Sequence, residues 1–436
     1  MQRSSSKVLI AMEAFFSNFY IAITRNLFIP MLTYQNYSLY LLFYVNLSAA
    51  FLSILVSYLI YTRPSLVSSS VKTRLVAVHI CERVFWMILP FIMEFPDFLS
   101  VMYALSQAMA IPASILLNIA IFLSFRNDEL IDVNILRSAL GSTASILGGL
   151  FIVYTTATIK APDSYYISYV SGSLIGLVAS ISLVFYPSNT LRNSIHRSEV
   201  KSEHMEVRRV NIFIMLTLSL AGANLVGLSW ASLLKEMNTP LYLVTALSFA
   251  GNIGGIIGPY LWRGFRKYIY AMMLNSITTL LIFFTPWPPI HLIYSAVLSM
   301  SFVGFNFIAL SIYSKYIVSL GIVEASTLLT AANPLGLLIA SLTGMYARNP
   351  FILFLLASMY KLSALILSLL AIPESAIIPV KTAYGYGRLI YYIGIMGYTF
   401  TMETSKQAIK LTLQLLALTI LVTVLYLIYR LATLLV

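Results

Sequence analysis

The chain carries one cysteine, Cys81, in 436 residues, which leaves nothing from which to build a disulfide framework or a thiolate metal site. Histidine is almost as scarce. His79, His196, His204 and His291 are scattered without ligand spacing, so no metal centre is expected. Charged side chains make up 10% of the residues, and the acidic ones are the scarcer sign, 15 Asp and Glu against 27 Lys and Arg. The sequence has no G-x-x-x-x-G-K-S/T nucleotide loop, no G-x-S-x-G elbow and no H-E-x-x-H pair. No polar stretch is long enough to house a soluble catalytic domain. These absences point away from an enzyme, and neither catalytic residues nor a cofactor are expected.

Apolar side chains are what the chain has in plenty: 59% of its residues, with a mean hydropathy of +0.88. That ratio describes an all-α polytopic membrane protein, whose first partner is the lipid bilayer. A net charge of +12 is the sign a nucleic-acid partner would require, but the Lys and Arg residues are spread over short separate loops and form no aromatic-interleaved basic face. They read as topology signals, and no nucleic acid is expected.

Apolar runs of membrane length fall near 8–30, 39–61, 71–94, 98–125, 135–159, 164–186, 210–234, 240–262, 268–285, 290–314, 325–346 and 351–372, with a further run at 408–429. The first is too long for a signal-peptide core and lacks a small-residue cleavage site, so it reads as a retained helix. The longest polar interruption, Pro187–Arg209, holds Arg192, Arg197, Lys201, Arg208 and Arg209 among Glu199, Glu203 and Glu206. The expected organisation is a six-helix bundle over 1–186, a charged cytoplasmic linker over 187–209 and a second six-helix bundle over 210–372. An interfacial or cytoplasmic segment over 373–407 and an extra transmembrane helix over 408–436 complete it. The stretch 384–400, with Tyr384-Gly385-Tyr386-Gly387, is short and glycine-rich for a span.

Charge placement supports this count. With the N-terminus inside, the inner segments hold Arg3, Lys7, Arg63, Lys72, Arg74, Arg126, Arg137, the linker cations, Arg263, Arg266, Lys267, Lys315, Lys381, Arg388, Lys406 and Lys410. The outer segments hold Lys160, Lys235, Arg348 and Arg430. A miscounted helix would put every later loop on the wrong side. An internal repeat is also visible: sliding the second half so that Leu241-Tyr242-Leu243 falls on Leu39-Tyr40-Leu41 also sets Ile256 on Ile54 and Tyr260-Leu261 on Tyr58-Leu59. Gly149-Leu150 and Gly336-Leu337 make a second, weaker echo.

Gly251, Gly254, Gly255 and Gly258 give one helix a smooth strip, ending in a turn with Arg263, Arg266 and Lys267 before the next apolar run. This stretch resembles the short loop motif of the major facilitator superfamily, the twelve-helix secondary transporters. The family pattern runs Gly, three residues, Asp, Arg, a spacer, Gly, Arg, then Arg or Lys. Gly258, Arg263, Arg266 and Lys267 fall on its positions; Trp262 stands where the acidic residue is expected, and Gly264 is one place early. The resemblance covers about residues 8–372 and implies two six-helix bundles around a central cavity lined by the first, fourth, seventh and tenth helices. The turn would then be a cytoplasmic gating element. Gly141 and Gly148-Gly149 of the fifth helix resemble the glycine-rich motif of proton antiporters, with Ala144-Ser145 in place of its Gly-Pro pair; packing against the glycine strip of the eighth helix is the preferred reading.

The four cavity helices each carry polar residues at helical spacing. Asn18 and Arg25 lie on the first, Gln107 and Asn118 on the fourth, Asn224 on the seventh, and Ser295, Ser299 and Asn306 on the tenth. Arg25, Asn18, Gln107, Asn118, Asn224 and Asn306 are thus the candidate substrate-binding residues, although Asn and Ser also serve as glue between helices. Arg25 stands out, since a guanidinium within a span needs a counter-ion, a ligand or water. Glu82 and Arg83 lie on the third helix on faces about 100° apart, so they are expected to need separate partners, as a structural ion-pair system. Glu13 is the candidate proton-coupling carboxylate.

The expected protein is a secondary-active transporter of the cell membrane, multi-pass with a cytoplasmic N-terminus, moving a small polar or amphipathic solute by alternating access. A monomer is compatible with this reading. The alternatives are a flippase for lipid-linked sugars and, further off, an integral-membrane enzyme; against the latter, the outer loops are too short for a catalytic domain, and Glu94 and Asp97 are the acidic pair they offer.

Overall fold

Each of the twelve apolar runs up to residue 372 forms a helix over its described residues. The computed structural model describes residues 2–68, 70–125, 127–187, 203–262, 265–302, 305, 322–347 and 349–371. The helices are α1 (Gln2–Tyr34), α2 (Leu39–Thr62), α3 (Val71–Ile88), α4 (Pro96–Ser124), α5 (Asn127–Thr158), α6 (Asp163–Val184), α7 (Glu203–Glu236), α8 (Leu241–Leu261), α9 (Phe265–Phe283), α10 (Ile290–Phe302), α11 (Ile322–Tyr346) and α12 (Pro350–Ala371). Among the described residues 10 helices are long and apolar enough to cross a membrane, and the α9 and α10 regions supply two shorter apolar helices. In lipid this is the expected solution, because a helix satisfies its backbone polar groups internally.

Boundaries follow local chemistry. Ser38 caps α2 by accepting from the Leu41 amide. Prolines open α4 and α12, where a missing amide hydrogen costs nothing. The run at 71–94 is α-helical only to Ile88 and tightens to a 3₁₀ turn over Leu89–Ile92, which contains Pro90. Helix α7 begins inside the stretch read as linker, at Glu203, so the polar interruption is shorter in backbone terms than its composition suggests. The segments 373–407 and 408–436, with the thirteenth helix, lie outside the described residues.

The repeat seen in the sequence has a structural counterpart. Helix α1 ends with the Tyr37 amide donating to the Leu32 carbonyl and that of Asn36 to Thr33, with Asn36 at φ 64°. Helix α7 ends with the Thr239 amide donating to Leu234 and that of Asn238 to Lys235, with Asn238 at φ 55°. These are the same left-handed C-terminal turn, built on asparagine in both halves. The two turns fall on each other in the alignment that sets Leu39 on Leu241.

Within the first half α1 packs on α5 and α6, α2 on α4, and α3 on α4 and α6. In the second, Asn275 of α9 donates to Leu298 O and Ser301 Oγ of α10, and Ser358 of α12 donates to Ser276 O of α9. The halves meet through α2 with α11 and α5 with α8, and Met1–Ser368 forms one compact unit. Lipid tails are as apolar as leucine, so close packing and buried polar bonds hold such helices together. An aromatic cluster fills the first half: Phe28 stacks on Tyr103 at 4.1 Å, and Trp86 stands edge-on to both.

The glycine strip of α8 behaves as its spacing suggests. A Cβ on Gly254 would run into the Ala296 backbone of α10, and one on Gly251 would lie 2.8 Å from Ser299 Oγ. The α5 glycines differ from expectation. Gly141 faces Asn18 and Gly148 faces Phe19 and Ala22, all on α1, while Gly149 meets Phe249 of α8 rather than its glycines. Two of the three therefore serve the α1 contact within their own half.

Candidate solute site

Helices α1, α5, α8 and α10 line an open cavity of about 420 Å3 between the halves. Ala14 and Asn18 line it from α1, and Arg137, Gly141, Ser142 and Ser145 from α5. Across from them stand Gly251, Asn252 and Gly255 of α8 and Ser299 of α10. Most of these are small or polar, so the hollow is bordered by hydroxyls, amides and one guanidinium. Asn18 Nδ2 donates to Ala14 O at 2.7 Å, leaving its carbonyl oxygen for the cavity. Gly141 makes room for that amide, since a Cβ there would approach Asn18 Nδ2 to 2.7 Å. Asn252 Nδ2 donates to Ser145 O at 2.9 Å and so ties the halves together beside the cavity.

Arg137 is the charged residue of the lining. Its Nη2 lies 3.3 Å from Oε2 of Glu13, whose side chain is 3% exposed, while that of Arg137 is 20% exposed. The Arg137 Nε has no partner among the described residues.

Arg25 belongs to a second cluster. It donates to Glu82 Oε1 at 2.6 Å, and Arg83 donates to Glu82 Oε2 at 2.9 Å. Arg83 spends its remaining donors on Gly176 O, His79 O and Ser17 Oγ at 2.9, 3.0 and 2.8 Å, and lies over the Tyr20 ring at 4.9 Å. The expectation of separate partners for Glu82 and Arg83 is therefore corrected. Both face α1, and the long arginine stem lets the guanidinium fold back onto the carboxylate beside it. Arg25 remains 31% exposed. Close by, Tyr103 donates to Asn46 Oδ1 at 3.1 Å and Gln107 lies within hydrogen-bonding reach of the same hydroxyl. Arg25 and Gln107 thus converge, as their helical faces suggest.

The other expected residues are placed differently. Asn118 is half-buried on α4 and joins neither cluster. Asn224 of α7 donates to Asn333 Oδ1 of α11 at 3.4 Å, the glue role. Gly258 closes α8 by accepting from the Trp262 amide at 3.0 Å, and Lys267 is exposed near the start of α9. Asn306, Arg263 and the Arg266 side chain lie outside the described residues. The cavity draws on α5 and α8 where α4 and α7 were expected. Arg137 read only as an inner-side topology charge, and the glycines at 141, 251 and 255 read as packing; together they were the available signal.

At the opposite end of α1 the halves are bonded directly. Tyr34 donates to Thr239 O, and Lys235 Nζ donates to Thr33 O at 2.6 Å and Asn36 Oδ1 at 2.8 Å. Thr33 and Lys235 are repeat-equivalent positions, so the two C-terminal turns meet about the axis that relates the halves.

No family model and no curated relative matches the sequence. Among solved structures the chain is similar to the nucleoside transporter NupG, at 12% identity and TM-score 0.60, over 84% of this chain and 97% of that one; a point mutant of NupG gives 13% and 0.63, over 84% and 99%. A bacterial homologue of the iron transporter ferroportin, in an outward-facing state, is 15% identical with TM-score 0.57, over 84% and 98%. At such identities the likeness is one of fold: this chain shares the helical fold of these transporters, with 10 membrane-length apolar helices and two shorter ones among its described residues.

Proposed function

We propose that the protein is a secondary transporter that carries a small polar solute across the cell membrane by alternating access, with its N-terminus and the 263–267 turn on the cytoplasmic side. The observation that carries this reading is the polar cavity of about 420 Å3 shared by the halves, placed away from the polar bonds that join them at the far end of α1. Rocking the halves would break the Lys235 contacts and reclose the α5 and α8 side. The volume lies within the range of metabolite sites, roughly 300–1,000 Å3. Its polar lining favours a small solute over a lipid-linked sugar, whose chain needs an apolar path to the bilayer.

Asn18, Arg137, Asn252 and Ser299 form the inner part of the proposed solute path, and Arg25 with Gln107 the part nearer the closed end. Asn118, Asn224 and Asn306 stay as proposed path residues of the other conformations. Glu13 is the proposed coupling carboxylate, and Gly258, Arg263, Arg266 and Lys267 the gating turn. The test is uptake into proteoliposomes from a panel of gluconate, glycerate, glucose, uridine and ferrous iron, with lipid-linked-sugar scrambling measured in parallel. Saturable uptake of a soluble solute, weakened by Asn18→Ala or Asn252→Ala, supports the reading. Scrambling without soluble uptake transfers it to the flippase, and neither activity in folded protein refutes transport.

A further inference from the structure

We propose that a hollow on the bilayer-facing side of α1 and α5 seats one acyl chain of a phosphate-bearing membrane lipid, with the phosphodiester of that lipid held at Lys7. The site is separate from the solute cavity and takes its lipid whichever solute is carried.

The hollow measures about 450 Å3 and lies along α1 from Lys7 to Phe16, beside Leu136 and Leu140 of α5. Side-chain size accounts for it. Ala11 stands among Lys7, Val8 and Phe15, its neighbours three and four places away, so the helix surface dips where a small residue sits among large ones. Phe15 and Phe16, edge to face with ring centroids 5.4 Å apart, close the end deeper in the membrane. Val8, Met12 and Leu136 are exposed, and on helices of membrane length such an apolar patch meets lipid.

Length and charge identify the occupant. From Lys7 to Phe16 the helix rises about 14 Å, nearly half of a hydrocarbon core about 30 Å thick, which is the depth of one leaflet. The membrane-length segment of α1 begins at Ser6, so Lys7 stands where headgroups meet acyl chains. Every other lining residue is apolar. A cation at the mouth of an apolar groove matches an amphiphile that carries a phosphate on a hydrocarbon chain. The sequence before Lys7 adds Arg3 and no carboxylate. Arg137 belongs to the solute cavity, where Glu13 pairs with it. Helix α5 opens with Asp128, Glu129 and Asp132, a composition that accommodates a headgroup amine, so phosphate rather than net negative charge is the recognised group. An acyl chain gains little by leaving the bilayer for an equally apolar groove, and the phosphate contact therefore decides which lipid stays. Leu136 and Leu140 directly precede Arg137 and Gly141 of the cavity lining, so the seated chain backs the wall of the solute cavity.

The test uses the full chain in nanodiscs holding equal amounts of phosphatidylglycerol and a diglycosyl diacylglycerol with the same chains, one of the two carrying a diazirine in an acyl chain. After illumination, peptide mass spectrometry compares labelling of 8–16 and 136–140 with labelling of 51–59, an exposed apolar stretch of α2. The phospholipid should label the hollow about 5-fold above the glycolipid, the ratio that one lysine near a membrane surface gives, and the two should label 51–59 equally. Phosphatidylethanolamine with the same diazirine should match phosphatidylglycerol. Lys7→Gln should bring the ratio at the hollow to about 1 and leave 51–59 unchanged, and Met12→Trp should fill the groove and reduce its labelling by either lipid. Equal labelling of the hollow by the two lipids in the parent chain overturns the inference, as does a preference that survives Lys7→Gln. A hollow that stays unlabelled beside a labelled 51–59 overturns it in favour of a protein cover, such as a second copy of the chain.

Discussion

Glu82→Gln is the substitution whose effect the structure defines most sharply. The carboxylate accepts from Arg25 at 2.6 Å and from Arg83 at 2.9 Å, with a side chain 4% exposed. Each charge-assisted bond contributes about 1.5–3 kcal/mol. Removing the common acceptor leaves two interior guanidiniums without their counter-charge, and loss of one partner of a buried pair costs about 3–5 kcal/mol. Arg25→Gln removes only one of the two bonds, from a side chain 31% exposed, and leaves Glu82 paired with Arg83. With that exposure discounted, its cost is about 1–2 kcal/mol. The asymmetry is the prediction. Reversible unfolding in mixed micelles, followed through the fluorescence of Trp86 and its fellow tryptophans, reads both variants and their double. The double should cost at least about 1 kcal/mol less than the sum, since both singles break the same bond. Equal costs for the singles, or a Glu82→Gln cost under about 1 kcal/mol, would refute the shared-acceptor account.

Other consequences are open to measurement. Lys361 is buried with Thr279 Oγ1 at 2.7 Å as its one bond among the described residues, so Lys361→Met should fall within about 1 kcal/mol of the parent or above it, while Thr279→Val should cost about 1–3 kcal/mol in the same unfolding assay. Gly254→Ala should destabilise by about 1–3 kcal/mol through the Ala296 backbone, whereas Gly255→Ala, with open space around it, should be close to neutral. An impermeant maleimide should label a cysteine placed at Asn36 or Asp163 in intact cells and leave one at Lys72 unlabelled; the reverse pattern would invert the proposed orientation.

The first twelve apolar helices, the repeat and the cost of Arg25 were all legible because each depends on composition or spacing along one stretch. The repeat runs deeper than its identities show: Asn36 and Asn238 occupy the same turn by the same backbone bonds. What spacing does not encode is which polar face meets which. Arg25 on α1 plainly needed a counter-ion, yet only the packing of α1 on α3 selects Glu82. The polar stripes of α4 and α7 looked like cavity lining, but Asn224 is bonded to Asn333, and a stripe that glues helices has the same period as one that lines water. The cavity instead falls on α5 and α8, whose glycines leave open space for the same reason that they let a helix approach. Arg137 was hidden by its place near an expected loop, where a cation is ordinarily a topology signal.

Alternating access is the central claim, and the Lys235 contact tests it most directly. In a Cys81→Ala background, Asn36→Cys and Lys235→Cys can be joined by a short bis-methanethiosulfonate, which forms a disulfide with each thiol, since the native side chains meet at 2.8 Å. Uptake of the solute panel is then measured before cross-linking, after it, and after reduction. The account predicts that the cross-link stops uptake and that reduction restores it, because the halves must part at this end once per cycle. Cross-linked protein that transports at the unlinked rate would contradict it.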